Sequence, residues 1–200
     1  MLRRKRGHQQ GALDGACGFY AITNALQLLE PELSAEEIFR AAWQGFLRDG
    51  NPLALIDGTT RVMLRNSLRR TIDSLHECYE FFEGKEDSPY RLDFSMPYWL
   101  HDTPRDRQRV IEHLMQADAR NGCVVIMGYR YRQASEEQED YHWTVIRGCK
   151  DEHLITCDSG GEKPRISLDQ VRIDSTQAFH ALRPYNIESE MIFVLRRVRP

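Results

Sequence analysis

The stretch YHWTVIRGCKDEHLITCD, residues 141 to 158, contains two apolar segments joined by a short polar turn. The first segment covers residues 141–149 and the second covers residues 153–157, with Lys150-Asp151-Glu152 between them. Because a turn this short joins neighbouring antiparallel strands, the stretch predicts a β-hairpin. In such a hairpin, the start of the first strand lies beside the end of the second strand.

Other apolar segments predict further strands around this hairpin. Residues 123–127 form a continuous apolar run, which is typical of a strand covered on both faces. Residues 191–195 predict a last strand, whereas residues 133–140 are acidic and poor in apolar side chains, as in a solvated loop. We therefore expect the last part of the chain to form an antiparallel sheet.

The first 120 or so residues instead show apolar side chains at helical spacing. Residues 17–29 carry apolar side chains at steps of three and four, and Ser34 begins a sequence typical of a capping box. Four helices are predicted: residues 17–29, from Ser34 to near Gly50, from Thr60 to Phe82, and from Thr103-Pro104 to Asn121-Gly122.

Helices followed by strands predict a single α+β domain over residues 1–200, with the helical half packed on the sheet. The helical portion is expected at about 31–121 and the mainly β portion at 122–200, and residues 1–8 form a basic tail.

Composition excludes several classes of protein. The formal net charge of −3 argues against strong non-specific binding of nucleic acid. No run approaches the ~18 apolar residues of a membrane helix, and the basic start is not followed by the apolar run of a secretory signal. We expect a cytoplasmic protein, or one exported by a signal-free route.

The five cysteines are an odd number and are thinly spread, which favours free thiols in a reducing compartment. Apart from Cys17, they are expected to be small core residues. A zinc site formed by Cys149, His153 and Cys157 is disfavoured, because no paired short cysteine spacing is present. Neither a metal nor a cofactor is expected.

Cys17 differs from the other cysteines because it lies at the start of a predicted helix, between Gly15 and Gly18. The positive end of the helix dipole and the unpaired N–H groups there favour the thiolate, which is the nucleophile. The small glycines would let a substrate carbonyl approach, and the Cys17 N–H could donate to an oxyanion. The alternative is a buried cysteine whose neighbouring glycines serve only the turn.

His142 is the best candidate for a base among the histidines, because it lies early in an apolar strand. Asp158 ends the second strand of the hairpin, so its carboxylate is expected beside His142. The alternatives are a histidine hydrogen-bonded at a sheet edge and an aspartate that forms a turn.

These residues resemble the papain-like cysteine peptidases, and most closely the peptidases of bacterial ABC exporters that process bacteriocin leaders, with their stand-alone relatives. The resemblance lies in Gln10 ahead of the segment Asp14 to Gly18, in the segment His142 to Gly148, and in Leu154 to Asp158. Cys17 precedes His142 by about 125 residues, close to the ~130–150 of papain relatives. The chain order Cys, His, Asp also matches.

The resemblance implies a papain-like fold and a thiol peptidase acting on a protein or peptide. Cys17 would be the nucleophile, His142 the general base and then acid, and Asp158 the residue that orients His142. Gln10 would supply the oxyanion-hole amide. In the family this glutamine lies six residues before the cysteine, whereas Gln10 lies seven before Cys17 and Gln9 eight, so the choice between them stays open.

Other functions fit the same three residues. Bacterial glutamine deamidases and transglutaminases use this residue order on similar folds, and residues 14–19 also resemble the cysteine segment of ovarian-tumour-type deubiquitinases. Asp158 lies downstream of His142, and this order favours the papain-like peptidases over the ovarian-tumour-type deubiquitinases. A papain-like binding module without turnover is a further alternative. The sequence does not decide the oligomeric state.

Overall fold

The computed structural model describes residues 16–48, 58–83, 88–100, 103–131, 140–158, 165–177 and 180–199. The basic tail, Gln9, Gln10, Gly15 and Ser159 lie outside these ranges, as does the predicted 133–140 loop apart from Asp140. The described part of the chain has an α+β fold, with helices packed on a mainly antiparallel sheet.

Four α-helices and eight strands are present in the described residues. The helices are α1 (Cys17–Leu29), α2 (Ala35–Leu47), α3 (Arg61–Cys78) and α4 (Arg107–Met115). The strands are β1 (Phe81–Glu83), β2 (Ser88–Ser95), β3 (Cys123–Tyr131), β4 (Asp140–Lys150), β5 (His153–Cys157), β6 (Arg165–Ser167), β7 (Val171–Ile173) and β8 (Tyr185–Val198).

The strands form one sheet in the order β1-β2-β8-β3-β4-β5-β6, in which every neighbour is antiparallel. The short strand β7 pairs with the first residues of β8 and is the one parallel strand in the described sheet. The predicted antiparallel sheet is therefore confirmed.

The hairpin predicted from residues 141–158 is present as β4 and β5. Lys150 pairs with His153, and the two residues between them, Asp151 and Glu152, have φ angles of 51° and 59°. Positive φ at both turn residues is the geometry that matches the twist of a two-residue hairpin. The pairing runs to Val145 opposite Cys157, so the start of β4 lies beside the end of β5.

The predicted helices are present, but four of their boundaries were wrong: the end of α2, the end of α3 and both ends of α4. Helix α1 has the predicted bounds, whereas α2 ends at Leu47 rather than near Gly50, and Ser34 makes no capping hydrogen bond through its side chain. The Thr60 hydroxyl caps α3 by accepting from the Met63 N–H at 3.3 Å. This helix ends at Cys78 because the residues from Phe81 onward pair with β2.

The predicted start of α4 at Thr103-Pro104 was wrong. The Asp106 carboxylate accepts from the Arg109 N–H at 3.0 Å, so the cap lies three residues further on. The helix also ends at Met115, well before Gly122, because the Asp118 backbone instead pairs with Cys123 at 2.9 and 3.0 Å.

The strands β1, β2, β6 and β7 were not predicted, and β8 is much longer than residues 191–195. Strand β2 falls in the portion that was expected to be helical. Its Tyr90, Leu92 and Phe94 are buried and alternate with exposed residues, which is the period-two pattern of a half-buried strand.

The sheet is covered on both faces. Helices α1, α2 and α3 pack on one face, where Phe19 of α1 makes edge-to-face contacts with Trp43 and Phe46 of α2. Helix α4 packs on the other face through Val110 and Leu114. Helix α1 packs directly on the central strands β3 and β4, α3 packs beside it against β2, and α2 packs on α1 and α3.

None of the helices in the described ranges is both long enough and apolar enough to cross a membrane.

Candidate active site

Cys17 is the first residue of α1, and its side chain is almost fully buried. The helix begins without a side-chain cap: the carbonyl of Ala16 accepts from the N–H groups of Phe19 and Tyr20 at 2.9 and 3.1 Å. The first N–H groups of a helix have no partner within the helix and point outward along its axis. The structure thus places the Cys17 thiol in the positive field at this helix end.

His142 and Asp158 form the hydrogen-bonded pair that the hairpin predicts. The Nε2 atom of His142 lies 3.0 Å from Oδ1 and 3.1 Å from Oδ2 of Asp158. The side chains are 21% and 12% exposed, respectively, so water weakens this interaction only partly. The proximity predicted from the sequence is therefore confirmed.

The thiol of Cys17 is also hydrogen-bonded to the His142 ring. Because Nε2 is engaged by Asp158, Nδ1 is the ring nitrogen left for Cys17. Helix α1 and the β4–β5 hairpin therefore bring the three residues Cys17, His142 and Asp158 into one cluster, with the imidazole between the sulfur and the carboxylate.

The surroundings of His142 favour its protonated form. Burial lowers the pKa of His142, but the hydrogen bonds and negative charges of Asp158 and Cys17 outweigh burial and raise the pKa from 6.5 to about 10. The ring is therefore an imidazolium at neutral pH. A cation held beside a thiol stabilises the thiolate, which is the form that attacks a carbonyl.

Tyr129 is part of this site and was missed by the sequence analysis. It lies opposite His142 in the β3–β4 register, and the two rings meet edge to face with centroids 5.6 Å apart. Burial, followed by the charges of Asp158 and Cys17, raises the pKa of Tyr129, so its phenol stays neutral. The contact between Tyr129 and His142 could be predicted from the sequence only if the β3–β4 register were already known.

A segment before α3 forms one wall beside Cys17. The carbonyl of Thr59 accepts from the indole N–H of Trp143 at 2.8 Å, and Trp143 is fully buried next to His142 in the chain. A Cβ atom at Gly18 would lie 2.8 Å from the Thr59 Cβ. Gly18 therefore allows this segment to pack closely against the start of α1, a role the sequence analysis did not assign to it.

The other cysteines do not join the site. None of the five cysteines, all of which the structure describes, forms a disulfide. Cys157 is buried and Cys123 and Cys149 are half-buried, but Cys78 is exposed at the end of α3, so the expectation that it is a core residue was wrong. In the described ranges no group of three or more His, Cys, Asp and Glu side chains is placed to hold a metal ion.

Comparison of the chain with protein-family models and with curated proteins finds no match.

Proposed function

We propose that this protein is a cysteine hydrolase that cleaves an amide bond in a protein or peptide substrate, as a papain-like peptidase does. The single observation that supports this most strongly is the position of the His142 ring, held by Asp158 on one side and bonded to the Cys17 thiol on the other. In this proposal Asp158 orients the ring, His142 is the base and Cys17 is the nucleophile.

In the proposed reaction the Cys17 thiolate attacks the amide carbonyl carbon, and the carbonyl oxygen becomes an oxyanion. The N–H groups at the start of α1 supply donors for this charge. Gln10 is proposed as a second donor, and it lies outside the described residues. As the C–N bond breaks, His142 gives its proton to the leaving amine, and a thioester to Cys17 remains.

A water molecule then attacks the thioester, and the neutral His142 ring takes one proton from it. Breakdown of this second tetrahedral intermediate releases the carboxylic acid and restores the Cys17 thiolate beside an imidazolium. Asp158 keeps Nε2 protonated and the ring oriented, so that Nδ1 can exchange protons with substrate and water. This step needs no cofactor.

A peptide library derived from a cell lysate tests the proposal without a known substrate. We expect the wild-type protein and a Cys78→Ala variant to generate new peptide amino termini, as identified by mass spectrometry. A Cys17→Ala variant should generate none and retain its fold, because the side chain that it shortens is small. Identical products from all three proteins would contradict the proposal.

The same experiment separates the amide classes. Hydrolysis of a peptide bond creates a new amino terminus, whereas deamidation of glutamine releases ammonia and increases the peptide mass by about one dalton. Transglutamination joins two peptides. Loss of ammonia that depends on Cys17, with no new amino termini, would show that the site is a deamidase rather than a peptidase.

A further inference from the structure

A surface groove lies between the second half of α3 and the strands β1 and β2, and we call it the α3–β2 groove. It consists of two adjoining cavities of about 280 and 300 Å³, which share His76 and Arg91. Arg197, which neighbours this groove, binds the carbonyl of Leu29 at the carboxyl end of α1. Helix α1 is roughly 20 Å long, and Cys17 lies at its amino end, so the groove near its carboxyl end is remote from Cys17.

The hydrogen bonds of His76 fix its tautomer. The N–H of Leu92 donates to Nε2 of His76 at 3.1 Å. Leu92 lies two residues beyond Tyr90, where the pairing of β2 with β1 ends. Nε2 must therefore carry a lone pair, and a neutral ring carries its proton on Nδ1. Burial and the nearby Arg91 both lower the pKa of His76, which agrees with a neutral ring.

This tautomer brings two hydrogen-bond donors together. The Nδ1–H of His76 faces Nη2 of Arg91 at 3.3 Å, and neither group can accept from the other. Within the part of the chain that the structure describes, no carboxylate forms an ion pair with Arg91, whereas the nearby Arg69 is paired with Asp93 at 3.2 Å. An anionic oxygen placed between His76 and Arg91 would satisfy both donors.

The other half of the groove is aromatic. Phe81 stacks on Tyr90 with ring centroids 5.8 Å apart, and the ring of His76 meets Phe81 edge to face at the same distance. Beside this pair, Tyr79 lies tilted against Phe81 with ring centroids 6.4 Å apart and is 37% exposed. An apolar group bound here would gain contact with rings that are already ordered.

We infer that the α3–β2 groove binds a segment of a partner protein in which a carboxylate side chain neighbours an aromatic or large apolar one. The carboxylate accepts from His76 Nδ1–H and from the guanidinium of Arg91, and the apolar side chain packs on Tyr79 and Phe81. The Arg91 half of the groove is also lined by Arg69, Arg199, Asp73 and Asp93, with Asp93 paired to Arg69, so guanidinium groups outnumber carboxylates there, whereas Glu80 borders the aromatic half. The inference does not depend on the proposed hydrolase activity.

Fluorescence anisotropy with labelled peptides tests this inference on the full chain. The probe is an eight-residue peptide containing Glu-Phe, and the controls replace Glu with Gln or Phe with Ser. We expect the Gln peptide and the Arg91→Gln variant each to weaken binding about tenfold or more, because each removes a charge-assisted hydrogen bond. The Ser peptide should also bind about tenfold more weakly or worse, because it loses the apolar contact. Arg183→Gln, an exposed arginine just before the other end of β8, should leave binding unchanged.

Two results would overturn the inference. One is equal binding of the Glu and Gln peptides, or equal binding by the wild type and Arg91→Gln. The other is inorganic phosphate displacing the peptide as tightly as the unlabelled peptide does, since that marks a site for an adventitious ion only. NMR provides an independent test: the wild-type His76 ring must show a protonated Nδ1, and a protonated Nε2 would also overturn the inference.

Discussion

At the scale of single residues, the candidate site depends on the proton of His142. The imidazole is only 21% exposed, and an isolated ring so buried would be neutral. Asp158 and Cys17 reverse that tendency and raise the pKa of His142 to about 10. The carboxylate therefore does more than orient the ring, because it also helps to keep the cation that stabilises a thiolate.

An Asp158→Asn variant tests this role. The amide keeps the shape of the side chain but removes its charge, so the pKa of His142 should fall and fewer rings should be protonated at pH 7. We expect alkylation of Cys17 by iodoacetamide at that pH to slow about tenfold or more, as a triad that loses its carboxylate loses most of its activity. Asp169→Asn, an exposed change in the 3-10 turn before β7, is the control and should have no effect.

At the scale of secondary-structure elements, the sequence predicted best where a local signal acts alone. The β4–β5 hairpin and α1 have clear apolar periods and clear ends, and both were predicted with almost their observed bounds. The pairing of His142 with Asp158 followed from that hairpin alone. Tyr129 was missed because its contact with His142 depends on the β3–β4 register, which links distant parts of the chain.

Errors arose where two local signals compete. At the start of α4, Thr103 and Asp106 are both good capping residues, and Pro104 favoured the first. In the structure the Asp106 carboxylate makes the cap, as its hydrogen bond to the Arg109 N–H shows. Strand β2 is a different case, because its Tyr90, Leu92 and Phe94 already show the local alternation of a strand and only its pairing partner, the end of β8, is about 100 positions away.

The capping assignment predicts different stabilities for two single variants. Asp106→Ala removes the cap of α4 and should lower the free energy of unfolding by about 1 kcal/mol. Thr103→Ala, which removes the cap predicted from sequence, should change it by less than about 0.5 kcal/mol. Urea denaturation measures both values. A larger loss for Thr103→Ala than for Asp106→Ala would show that the helix begins where the sequence first indicated.

At the scale of the whole molecule, the protonated His142 couples stability to pH. Its pKa is raised in the folded protein from 6.5 to about 10, so the folded state holds a proton that the unfolded state has lost between these values. The stabilisation is complete below about pH 6.5 and disappears as pH rises through about 10.

Comparison of the wild type with a His142→Gln variant isolates this effect from the other titrating groups. With Cys17 a thiolate in the folded pair, the unfolded state carries the compensating proton on the Cys17 thiol up to about pH 8.5. We therefore expect the stability of the wild type relative to His142→Gln to fall mainly between about pH 8.5 and 10, with a slope of at most about 1.4 kcal/mol per pH unit. Urea denaturation across this pH range gives the difference at each pH. A difference that stays constant or grows between about pH 8.5 and 10 would mean that the folded protein does not retain the proton.

The rate at which iodoacetamide alkylates each cysteine, followed by mass spectrometry from pH 5 to 9, tests most directly whether Cys17 and His142 form an ion pair. We predict that Cys17, although buried, reacts faster near pH 6 than exposed Cys78 does, because the His142 imidazolium beside Cys17 stabilises the thiolate that the reagent needs. If the two rates rise in parallel, with Cys17 the slower throughout, then Cys17 is an ordinary buried thiol and the proposed nucleophile does not exist.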